Sequence, residues 1–93
     1  MSEDPTPYII RKSHKVSDQE TEKIKAIAGK AKRLRESMNI GYETFAQMAG
    51  INRNTYYRLE QSAQTGNNYT LAILLKVIDA HNITLAEFFN DIE

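Results

Sequence analysis

The stretch GYETFAQMAGINRNTYYRLE, residues 41–60, decides how this chain is read. Gly41 suits a helix N-cap, and Phe45, Ala46 and Ala49 then mark a short helix that stops at Gly50, a residue suited to the positive φ of a tight turn. Asn52 restarts the chain. As the N-cap of a following helix it turns Tyr56 and Leu59 inward and leaves Arg53, Asn54, Thr55, Tyr57 and Arg58 outside. A helix, a glycine turn and a second short helix with a polar outer face form the geometry that lays one helix in the major groove of DNA.

Toward the N-terminus, Ser17-x-x-Glu20 is a capping box, in which hydroxyl and carboxylate each satisfy a free backbone N–H. The helix it opens carries Ile24, Ile27, Ala28, Ala31, Leu34 and Met38 at spacings of three and four, a single apolar stripe, and Asn39 can take the left-handed conformation that ends it. Residues 1–16 show no helical period and read as an arm, with Pro5, Pro7 and the basic run Arg11-Lys12-Ser13-His14-Lys15; a short extended piece around Tyr8–Ile10 is open. Toward the C-terminus, residues 62–68 are polar and turn-rich and read as a loop. Leu71, Leu74, Leu75 and Ile78 mark a fourth helix, Asn82 a left-handed terminator, and Thr84-x-x-Glu87 a second capping box for a fifth helix with Leu85, Phe88 and Phe89. The expected architecture is all-α, a compact five-helix domain over residues 17–93 behind the arm.

Ninety-three residues bury one modest core and suit a single domain. With 41% hydrophobic and 26% charged residues the composition is that of a globular protein, and no run approaches the roughly 20 apolar residues of a membrane span. The opening MSEDPTPYIIRKSHK lacks the pattern of a secretory signal, and zero cysteines exclude a disulfide framework, so the expectation is a cytoplasmic protein without membrane association. Net charge is zero, but its distribution is uneven: residues 11–35 hold nine bases against three acids, and residues 36–93 hold three bases against seven acids. Asp91 and Glu93 lie on a terminal tail without a catalytic base, and there is no glycine-rich phosphate loop or metal-spaced His cluster. No enzyme activity, cofactor or metal is therefore expected.

The stretch AKRLRESMNIGYETFAQMAGINRNTYYRLEQ, residues 31–61, followed by TLAILLKVIDAHNITLAEFF, residues 70–89, resembles the Cro/CI-type (XRE-like) helix-turn-helix family of phage and bacterial regulators. The resemblance covers about Ile24 to Phe89. It rests on Phe45-Ala46, Gly50 at the turn, Ile51 after it, and the Arg35 and Glu60 positions that commonly form an ion pair in the family. It implies a lambda-repressor-like fold, and base contacts by Arg53, Asn54, Thr55 and, one turn on, Arg58. The chemistry agrees: arginine forks onto guanine O6 and N7, asparagine pairs with adenine N6 and N7, and threonine meets a phosphate or a thymine methyl. Tyr42, Asn52, Tyr57 and Gln61 are expected on the DNA backbone, with Arg11, Lys12 and Lys15 of the arm tracking phosphates or entering a minor groove. Tyr57 equally suits a role covering the helix edge. Arg35 and Glu60 have a structural reading, as a fork that fixes one helix on another.

The chain departs from the family pattern in three places. Tyr42 stands where glutamine is frequent; the loop after Glu60 is longer and holds no Lys or Arg; and His81 takes a usually aliphatic position, read as a partly buried histidine at a helix end. The expected function is a sequence-specific transcriptional regulator, a repressor by resemblance, binding double-stranded DNA as a homodimer on a pseudo-palindromic site. The rival is a protein-interaction or antitoxin-like module that offers Tyr57, Tyr8-Ile9-Ile10 or Phe88-Phe89 to a protein partner.

Overall fold

A computed structural model describes residues 16–92, and the structure in them is helical: α1 (Asp18–Ser37), α2 (Tyr42–Ala49), α3 (Arg53–Thr65), α4 (Leu71–Ala80) and α5 (Leu85–Phe89). Among the described residues there is no strand, and no helix is long and apolar enough to cross a membrane. The expectations for Arg11, Lys12, Lys15 and Tyr8–Ile10 lie outside the described residues.

α1 begins at the Ser17 capping box: Ser17 Oγ accepts from the Glu20 N–H at 3.2 Å, and Glu20 Oε1 accepts from the Ser17 N–H at 2.9 Å. It buries Ala28 and Ala31 completely, and these small side chains let α3 pack closely on it. Met38 leaves the expected stripe; it is the C-cap residue and is exposed, and Asn39 follows at φ 60°. α2 buries Phe45 and Ala46 and ends at Gly50, φ 71°, where the Ile51 N–H donates to the Ala46 carbonyl at 2.9 Å and the Ile51 side chain enters the core.

α3 starts on Asn52, whose Oδ1 accepts from the N–H groups of Asn54 (2.9 Å) and Thr55 (3.3 Å). It differs from expectation at its far end. Residues 62–65 continue the helix, and only 66–70 form the loop. Ser62 is buried and its hydroxyl donates to the Arg58 carbonyl at 3.0 Å, so a residue that favours turns when solvated is held in the helix by packing. Gly66 closes α3 at φ 73°, and a Cβ there would stand 2.5 Å from Thr21 Cγ2. The end of α3 is thus seated directly on the first turn of α1.

α4 is capped by Thr70, which accepts from the Ile73 N–H at 3.2 Å. Its buried residues are Leu74, Val77 and Ile78, whereas Leu71 is 68% and Leu75 39% exposed, a correction to the stripe read from sequence. α5 opens on the Thr84–Glu87 capping box and buries Phe88, while Leu85 remains half exposed. Every helix supplies the central cluster: Ala31, Phe45, Ala46, Tyr56, Leu59, Leu74, Val77, Ile78 and Phe88, with Ile51 from the turn. Two long-range contacts tie the ends together. The Tyr69 hydroxyl donates to the Ile24 carbonyl at 2.8 Å, and Lys30 Nζ meets Asp91 Oδ1 at 2.6 Å while lying over the Phe88 ring.

Candidate nucleic-acid interface

The orientation of α3 is set from behind. Arg35 Nε donates to Glu60 Oε2 at 2.7 Å and Nη2 to Glu60 Oε1 at 2.9 Å, while Nη1 donates to the Ile40 carbonyl at 2.7 Å. One guanidinium therefore links α1, α3 and the turn into α2, a use of its rigid fork that lysine could not reproduce. The Glu60 hydrogen bonds hold the Arg35 pKa above its ordinary value. Tyr56 lies against this pair, and burial, followed by the neighbouring Glu60 carboxylate, pushes its phenol well above the usual range; its hydroxyl makes no hydrogen bond of good geometry.

With Tyr56, Leu59 and Ser62 facing the core, the helical period turns Arg53, Asn54, Thr55, Tyr57 and Arg58 outward, and all five are exposed. The structure brings them together on the first two turns of α3. Asn54 and Thr55 make only the backbone contacts of the N-cap, so their side chains have no hydrogen-bond partner among the described residues. Asn52 spends its carbonyl oxygen on the cap, which leaves its Nδ2 as the group able to reach a phosphate. Gln61 is half-buried on the following turn. Thr55 and Arg58 border a cleft of about 200 Å³ with Asn68, Tyr69 and Thr70. The loop 66–70 contributes no cation to this side.

Two relationships on this face are absent from the sequence reading. Tyr42, half-buried at the start of α2, packs its ring at 5.0 Å and 47° from that of Tyr57, so the two tyrosines brace α2 against α3. Arg53 Nη1 also lies 2.9 Å from Glu43 Oε2. Neither had a local signal, because each joins residues ten or more apart that meet only once the Gly50 turn is made. Elsewhere, burial pushes the Tyr69 phenol up to about 12, a hydrogen bond from Lys30 holds the Asp91 carboxyl below its usual value, and burial lowers the pKa of His81. Among the described residues no group of three or more His, Asp and Glu side chains is placed to hold a metal ion.

Comparison with known protein families, with curated proteins and with solved structures finds no match to this chain.

Proposed function

We propose that this chain is a sequence-specific double-stranded-DNA-binding transcriptional regulator of the Cro/CI type, with a lambda-repressor-like fold, and that α3 enters the major groove. One observation carries the reading: α2 and α3 meet at a left-handed Gly50, and α3 turns the buried Tyr56, Leu59, Glu60 and Ser62 inward and Arg53, Asn54, Thr55, Tyr57 and Arg58 outward. Those outward groups match base edges and phosphates in kind, and the Arg35–Glu60 fork and the Tyr42–Tyr57 contact keep the helix at a fixed angle. Arg53, Asn54, Thr55 and Arg58 are the proposed base readers; Tyr42, Asn52, Tyr57 and Gln61 contact the backbone. The chain acts as a homodimer through surface outside α3, so that two recognition helices about 34 Å apart face successive major grooves of a pseudo-palindrome. Repression is its proposed direction of action.

Selection of bound duplexes from a random pool tests the reading directly. An enriched, two-fold symmetric sequence is expected, and Arg53→Ala should cost about 1–3 kcal/mol at one base position while leaving the others. Equal losses on all sequences would refute base reading by Arg53. A second reading, a protein-interaction module, draws on the zero net charge and on the exposed Tyr57, Leu71, Leu75 and Leu85, whereas Phe88, expected from the sequence to be offered to a partner, is wholly buried. A pool with no enriched sequence would favour it.

A further inference from the structure

Arg53 stands in the first turn of α3 and Glu43 in the first turn of α2, and their side chains meet at 2.9 Å while remaining 62% and 59% exposed. An ion pair so open to water adds little to stability. Its consequence lies in what it does to a side chain placed to read bases. Arginine carries five N–H donors in a rigid fork, and Glu43 engages Nη1, leaving Nε and Nη2 among the donors still free. A guanine edge asks for two parallel donors, to O6 and N7, so the guanidinium can serve the carboxylate and the base together. Adenine presents an amino donor where guanine presents O6, and there the fork is repelled and swings away. Glu43 is then left as an unpaired carboxylate facing the phosphate field of the duplex, which is unfavourable whatever the sequence.

We propose that Glu43 is a specificity-determining residue: it holds Arg53 in its guanine-reading orientation and penalises every duplex on which Arg53 cannot remain between it and the base. This rests on the DNA-binding reading above. Discrimination here comes from an unfavourable interaction with wrong sequences as much as a favourable one with the right sequence. Glu43 itself reads no base.

The test uses the full chain, the duplex selected by the wild type, its single-base variants and a scrambled duplex. Glu43→Ala should bind scrambled DNA about tenfold more tightly, and preference at the one position relaxed by Arg53→Ala should fall by about tenfold. Glu43→Gln, which keeps a hydrogen-bond acceptor but not the charge, should fall between. The double variant Glu43→Ala/Arg53→Ala should discriminate no less than Arg53→Ala alone, and urea midpoints should match the wild type, which excludes an effect through folding. Unchanged preference at the Arg53 position in both Glu43 variants, or a change at a different position, overturns the proposal while leaving DNA binding intact. A wild type that prefers no sequence overturns both, and the wild-type data alone distinguish that case.

Discussion

Arg35 and Glu60 meet fork to carboxylate between α1 and α3 with their side chains only 12% and 5% exposed, so the one charged residue in the core of α3 is neutralised from a different helix. Removing one partner of such a pair leaves the other buried and uncompensated. Arg35→Ala should lower unfolding free energy by about 3–5 kcal/mol, against under about 1 for an exposed pair. The double variant Arg35→Met/Glu60→Met should recover most of that loss. It should fall short of the wild type by roughly 1 kcal/mol, because the Ile40 carbonyl loses its donor. Urea titrations of the three proteins check this, and equal losses in single and double variants would show that the charge left behind is not the cause.

The two left-handed glycines should respond differently to alanine. Gly50, φ 71°, has nothing within 4 Å of where a Cβ would stand, so Gly50→Ala carries only backbone strain, on the order of 1–2 kcal/mol. Gly66, φ 73°, would in addition place its Cβ 2.5 Å from Thr21 Cγ2, against the start of α1. Gly66→Ala should therefore have the lower thermal midpoint, and adding Thr21→Ala should bring it close to Gly50→Ala. A Gly66 variant as stable as the Gly50 variant would mean that α3 and α1 separate at little cost.

The helix ends are legible in the sequence because they depend on near neighbours. Ser17 with Glu20, Thr84 with Glu87, Asn52, and the left-handed Asn39, Gly50 and Asn82 each act within a few residues. Ser62 reads as loop from its neighbours because its preference for turns is local while its burial is not. Leu71 and Leu75 read as inward because a helix of mixed apolar residues does not say which of its sides meets a neighbour; packing on α2 selects Leu74, Val77 and Ile78. On the candidate interface the outward set on α3 follows from the 3.6-residue period. Glu43 against Arg53 and Tyr42 against Tyr57 do not, since those pairs exist only after α2 and α3 dock.

Residues 1–15 lie outside the described structure, and their sequence still makes a distinct prediction. Arg11, Lys12 and Lys15 carry no acid between them, so on DNA they should act through phosphates. Deleting 1–15 should weaken specific and scrambled duplexes by similar factors and flatten the slope of log K against log salt by about 0.9 for each phosphate the arm had neutralised. If instead Tyr8–Ile10 pairs subunits, the deletion should abolish dimers without DNA present. Ultracentrifugation and a salt titration of the same protein separate the two, and intact dimers with an unchanged slope would leave the arm neither role.

His81 should make the fold sensitive to mild acid. It is the C-cap residue of α4, it stacks on Phe45 with ring centroids 4.6 Å apart, and its Nε2 is buried without a partner. The end of a helix favours a cation. Burial opposes it more strongly, and the folded pKa is lowered from 6.5. The folded state therefore binds fewer protons than the unfolded state at any pH between the two pKa values, and stability falls as pH drops from about 6.5 toward the lowered value. Asp91, whose carboxyl is held down by Lys30, contributes in the same direction but only as pH falls below its ordinary 3.8, which is more acidic than the range over which His81 is tested. Urea midpoints measured from pH 8 to pH 5 should be level above about 7 and then decline for the wild type. His81→Leu, which removes both the titrating group and the unpaired nitrogen, should stay level throughout and exceed the wild type at pH 5. Parallel declines in the two proteins would show that the loss comes from other groups and that His81 is protonated as readily in the folded chain as in the unfolded one.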